Sequence, residues 1–155
     1  MNRDASGEYL RNAVMTANPE QLQLMLYDGA IRFATQARES LGREDWETSC
    51  EKLIRAQRIL VEMRNGLREE VNPALCRQMS ALYDFIYNRL VDANMQRSQS
   101  LIDEALKVLH HQRDTWRMLI DKIREEEPSL ESTPSANITS TPSSTEIGAT
   151  LSIEG

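Results

Sequence analysis

The chain has 155 residues, 40% of them apolar, with 5% aromatic, six glycines and a formal net charge of −6. That length and that scarcity of glycine and aromatic residues suit one helical domain rather than a sheet protein. The acidic balance, with no block of Lys and Arg to track phosphates, argues against a nucleic-acid surface. The first residues, MNRDASGEYL, hold no apolar core of a signal peptide, and no run approaches membrane-spanning length. The expectation is a cytoplasmic chain with no membrane insertion.

Residues 1–17 form an arm, with Leu10, Ala13, Val14 and Ala17 recurring at helical spacing. An arm of this kind can lie back on a bundle. Asn18 then caps a helix: its side-chain oxygen can accept from free first-turn amides, Pro19 sits at N1, and Gln21 at N3 can answer back. That helix runs from Pro19 to about Leu41, with Gly42 as its expected stop. Its core stripe reads Leu22, Met25/Leu26, Gly29/Ala30, Phe33, Ala37, Leu41, with Leu24, Tyr27 and Ile31 on the flanks.

Asp45 caps the next helix, which runs to about Leu67 and buries Leu53, Ala56, Leu60, Met63 and Leu67. A second stripe lies beside the first: Trp46, Cys50, Ile54, Gln57, Val61. Asn72 and Pro73 open a third helix that ends near Met95, with Leu75, Met79, Leu82, Ile86 and Leu90 inward and Cys76, Tyr83, Tyr87 and Val91 to one side. Ser98 or Ser100 begins the fourth, with Ile102, Ala105/Leu106, Leu109, Trp116, Ile120 and Ile123 on its inner face. Connections of a few residues make neighbours antiparallel, so the expected architecture is an all-α, up-down four-helix bundle over residues 18–127.

Residues 128–155 are a different material. Fifteen of the 28 are Ser, Thr or Pro, and none is Lys or Arg. Such a segment buries too little to offset its chain entropy, so a disordered C-terminal tail is expected. Cys50 and Cys76 are isolated in helices and read as buried thiols.

Catalytic patterns are weak. There is no P-loop, GxGxxG, CxxC or Glu-x-x-His. His110, His111 and Asp114 cluster on the fourth helix, but adjacent residues diverge by about 100° on a helix and cannot comfortably share one ion. A histidine phosphotransfer bundle would follow its histidine with a lysine and a glycine. Here His111-Gln112-Arg113-Asp114 follows His110, and Asp114 would repel a phosphoryl group. The reading is no enzyme, no cofactor and no metal. What stands out is surplus amphipathic surface: Leu24, Tyr27 and Ile31 on one helix, Tyr83, Tyr87 and Val91 on another. Seven methionines add pliable surface of the kind adaptable grooves use. The alternative is that these residues merely widen the core.

Three stretches carry a family resemblance. Tyr9 and Val14 lead into Thr16-Ala17-Asn18-Pro19-Glu20-Gln21-Leu22 and then Leu24-Met25-Leu26-Tyr27-Asp28-Gly29-Ala30-Ile31. Leu82-Tyr83-Asp84-Phe85 is followed by Arg89-Leu90 and Ala93-Asn94, and Leu109 by Arg113-Asp114-Thr115-Trp116. Collinear from Tyr9 to Ile123, the pattern resembles the flagellin-export chaperones of bacterial flagellar secretion.

That resemblance implies an antiparallel helical bundle which holds the disordered C-terminal segment of flagellin, blocks its premature polymerisation and delivers it to the export gate. It implies Tyr9, Leu10 and Val14 as occluding side chains on the arm, displaced by cargo. Arg89 and Asn94 join the candidate partner-binding residues, with helix bracing as their other reading; Asp28 and Asp84 are expected to brace. Two features depart from the family: Glu69-Glu70-Val71-Asn72-Pro73 lacks a glycine pair, and the Ser/Thr tail is long. The rival class is a generic helical adaptor or regulator.

Overall fold

The computed structural model describes the backbone of residues 2–139 and the side chains of residues 5–126. Five helices follow one another: α1 (Asn2–Thr16), α2 (Pro19–Gly42), α3 (Trp46–Asn65), α4 (Pro73–Gln96) and α5 (Gln99–Thr139). Among the described residues there is no strand. The chain divides into two compact units, residues 1–117 and residues 118–155.

The starts of α2 to α5 follow from their capping chemistry. Asn18 Oδ1 accepts from the Gln21 amide at 2.8 Å while the Gln21 side chain accepts from the Asn18 amide, a complete capping box. Asp45 accepts from Thr48 N at 3.2 Å, Asn72 from Leu75 N at 3.1 Å, and Ser98 Oγ from Leu101 N at 3.3 Å. The Thr48 hydrogen bond, side chain and backbone together, holds the Asp45 carboxyl below its ordinary value. Connections are short: residues 43–45, 66–72 and 97–98.

Antiparallel pairing is written in the cross-links. Arg64 of α3 pairs with Asp84 of α4 at 2.7 Å, and at the other end of that pair Asn94 donates to Cys50 Sγ at 3.4 Å. Between α2 and α5, Arg38 meets Asp103, Arg113 meets Asp28, and the Trp116 indole N–H donates to the Glu20 carbonyl at 2.8 Å. Partners that rise in number on α2 fall on α5, so the two run antiparallel. With α2 also packed on α3, the circuit α2–α3–α4–α5 closes into the expected bundle.

The core rows of α3 and α5 are mostly those expected: Leu53, Ala56, Leu60 and Met63 on α3, and Ile102, Ala105 and Leu109 on α5. Leu67 and Trp116 are half-buried, whereas Ile123, expected inward, is exposed. On α2 and α4 the expected row holds in part: Gly29, Ala30, Ala37, Leu41, Ile86 and Leu90 are buried as expected, but the rest of the buried row differs. Tyr27, Ala30, Ala34, Ala37 and Leu41 fill the centre, whereas Leu22 is 38% exposed and Phe33 only half-buried. On α4 the row is Cys76, Tyr83, Ile86, Leu90 and Ala93, and Leu75 is exposed. Two interleaved 3-4 rows occupy each helix. The alanine row of α2 permits close helix approach, so it takes the centre although its neighbours are more apolar.

Gly42 does not terminate α2 through a left-handed turn. It is the last helical residue, and the positive φ falls on Glu44 at 59°. A Cβ at Gly42 would stand 2.7 Å from Gln99 Nε2, the amide that donates to the Arg38 carbonyl at 3.0 Å. Gly42 therefore clears space for a link between α2 and α5. Cys76 is buried and Cys50 half-buried, both free.

α5 also continues as helix to Thr139, past the Glu127 boundary expected from composition. In the second unit Ile120 is buried, while Met118, Leu119 and Ile123 are exposed. The part of the expected tail from 140 to 155 lies outside the described residues.

Candidate functional site

The sequence-nominated residues separate into three groups. Tyr27 and Tyr83 are interior, 1% and 2% exposed. Their hydroxyls meet at 3.2 Å, and Gln23 Nε2 donates to the Tyr83 hydroxyl at 3.0 Å. Burial pushes both phenols above their ordinary range. For Tyr83 the neighbouring Tyr27 hydroxyl raises the pKa further; for Tyr27 the hydrogen bond to Tyr83 acts in the opposite sense. Expected as flanking surface, they are a correction: a bundle centre floored by alanines leaves room for two large rings, and each hydroxyl answers the other. Leu24 and Ile31 are half-buried, with Ile31 packed against the core.

Tyr9, Leu10 and Val14 form the second group. All three are exposed on α1, Tyr9 at 76%, and Met15 beside them is exposed too. In this structure the arm is a helix whose apolar side chains are not covered by the bundle.

The third group, Tyr87, Val91 and Asn94, shares one row of α4, half-buried beside α3. Facing it is the second stripe of α3, Trp46, Cys50, Ile54, Gln57 and Val61, of which Trp46, Ile54 and Val61 are exposed. Asn94 on Cys50 marks one end of the resulting furrow. Leu60, Val61, Arg64, Tyr83, Asp84 and Tyr87 line a pocket of about 110 Å³ at the other. The Arg64–Asp84 pair stands at the rim, and Arg97 stacks over the Trp46 ring with its guanidinium carbon 4.4 Å from the centroid. The furrow is thus an apolar floor with charged ends, a shape that fits an amphipathic segment laid along the helices. Its α3 wall was visible in the sequence as a second 3-4 row but was not nominated.

The polar signature residues brace. Asp28 is held by Arg113, whose guanidinium is raised in pKa chiefly by the Asp28 hydrogen bond, and Asp84 is held by Arg64. Arg89 lies over the Phe85 ring, 5.3 Å from its centroid, within 3.8 Å of Asp92 and 4.0 Å of Glu104. His110 and His111 are exposed, and no cluster of three potential ligands is found among the described residues. No described helix is long and apolar enough to cross a membrane.

The fold is an antiparallel helical bundle with an apolar strip of α3 and α4 partly open to solvent. A family model for the flagellar protein FliS matches residues 1–123. The chain belongs to that family. The flagellar secretion chaperone FliS of Bacillus subtilis is 35% identical over 118 residues, covering 76% of this chain and 87% of the relative. That of Salmonella typhimurium is 32% identical over 114 residues, 73% and 84% of the two chains. A crystal structure of a flagellar chaperone from bacteria superposes with a TM-score of 0.64 at 24% identity, spanning 79% of this chain and 99% of that one, which shows the shared fold.

Proposed function

We propose that this protein is a cytoplasmic chaperone that binds the disordered C-terminal segment of flagellin, prevents its premature polymerisation and delivers it for export. The observation that carries the reading is the furrow between α3 and α4, where Trp46, Ile54 and Val61 face Tyr87 and Val91 on a chain of this family. A segment that gains helicity as it binds lays side chains at i, i+3/i+4 and i+7 into such a trough. Ordering it costs several kcal/mol, which holds affinity down and keeps cargo releasable. Release then follows from competition at the export gate rather than from nucleotide hydrolysis. Tyr9, Leu10 and Val14 of α1, expected to occlude the cargo surface, are uncovered in this conformation, so occlusion by the arm requires it to move onto the bundle.

Calorimetry with a peptide from the C-terminal region of the same organism's flagellin tests this directly. One-to-one binding in the micromolar range, about −8 kcal/mol, with helicity gained in circular dichroism is the expected result. Absence of binding with the arm both present and deleted would overturn the reading.

A further inference from the structure

A second surface lies on the opposite flank of α3, where it meets α2. The half-buried ring of Phe33 is surrounded by three cations: the Arg32 guanidinium carbon at 5.0 Å from its centroid, Arg55 at 5.6 Å and the Lys52 ammonium at 5.7 Å. One carboxylate answers them, Glu51, 3.1 Å from Arg55. Arg32 and Lys52 have no carboxylate partner among the described residues. The convergence is unusual on a chain of net charge −6. Three like charges gathered around one ring repel one another. The negative face of the ring gathers them. The site is therefore a local inversion of the molecule's charge, pre-arranged and under-neutralised.

We propose that this Phe33-centred cradle docks an acidic protein segment whose carboxylates stand one helical turn apart. Lys52 and Arg55 are i, i+3 neighbours on α3, and Arg32 faces them from α2. Carboxylates spaced i, i+4 on a partner helix are about 5–6 Å apart at Cβ, which matches this span. The two guanidiniums can each hold a carboxylate by paired N–H donation. Because Arg32 and Arg55 are exposed and Lys52 only half-buried, binding is fast, weak and salt-sensitive, a recognition contact rather than a clamp. The cradle lies away from the α3/α4 furrow, so its partner does not compete for that furrow. The inference does not depend on what the furrow binds.

The probe is an alanine-based helical peptide of about 15 residues with Glu pairs at i, i+4, titrated into the 15N-labelled full chain. At low salt, shifts are expected on the amides of residues 32–36 and 51–58, fading at high salt. Arg32→Gln/Lys52→Gln/Arg55→Gln should weaken binding by about tenfold or more, and the same peptide with Lys for Glu should move nothing. Should the triple variant fold poorly, the exposed single change Arg32→Glu, with an unchanged circular dichroism spectrum, is expected to weaken binding in the same direction. Shifts centred elsewhere, or unchanged affinity in these variants, would overturn the proposal. So would shifts at these amides that grow with protein concentration alone, since the occupant would then be a second copy of this chain.

Discussion

Tyr27 and Tyr83 act as a unit. Tyr83→Phe alone strips Gln23 and the Tyr27 hydroxyl of their shared partner, and should cost about 1–2 kcal/mol in urea unfolding. Adding Tyr27→Phe should cost less than the sum of the two single changes. The pair also sets a pH limit. Both phenols are raised by burial, so the folded state retains protons that unfolded tyrosines, with pKa about 10, release. Stability is therefore whole below about pH 10 and falls as pH rises beyond it, more steeply than in the double phenylalanine variant. Gly29 offers a second residue-level test. A Cβ there would lie 3.1 Å from Ile59 Cδ1. Gly29→Ala should raise stability by up to about 1 kcal/mol in an Ile59→Val background, where that methyl is gone, and by less with Ile59 intact. Equal gains in both backgrounds would show that Ile59 does not limit the site.

At the scale of elements, the helix starts were the most legible feature of the sequence, because a cap is a local contract between an Asn, Asp or Ser and amides two or three residues on. Asn18→Ala should cost about 1 kcal/mol for this reason. The inward rows were legible along most of α3 and the first half of α5, and on α2 and α4 at Ala30, Ala37, Leu41, Ile86 and Leu90, but not at the beginnings of α2 and α4. Leu22 and Phe33 outweigh Ala34 in hydrophobicity, whereas burial at a close crossing is decided by size. The arm contributes little to this packing, since Tyr9, Leu10, Val14 and Met15 are all uncovered. Deleting residues 2–14 should leave the thermal midpoint of the bundle nearly unchanged while altering cargo affinity. A large fall in the midpoint would show that the arm is part of the core.

At the scale of the molecule, the furrow was half legible. Tyr87, Val91 and Asn94 were nominated from α4, but its other wall came from α3 rather than from Leu24, Tyr27 and Ile31. A surplus apolar stripe announces itself in one helix; which two stripes face each other is decided by the connections and the order of packing. Ile54→Lys with Val61→Lys places charge on two exposed positions. Flagellin-peptide affinity should fall by about tenfold or more, with the thermal midpoint within a few degrees of the parent. Loss of affinity accompanied by unfolding would make these residues core rather than contact.

The unequal connections have a mechanical meaning. Two residues, 97–98, join α4 to α5 and three, 43–45, join α2 to α3, each with a non-glycine residue in left-handed backbone (Arg97 and Glu44), whereas seven, 66–72, join α3 to α4. The bundle is therefore two short-looped hairpins joined by a longer connection, with α3 and α4 held together by Arg64–Asp84 and Asn94–Cys50 rather than by a tight turn. The furrow runs along the seam where the hairpins meet. A segment laid along that seam would bear on the helix pair whose spacing is set by side-chain links at both ends, Arg64–Asp84 and Asn94–Cys50, and not by its loop.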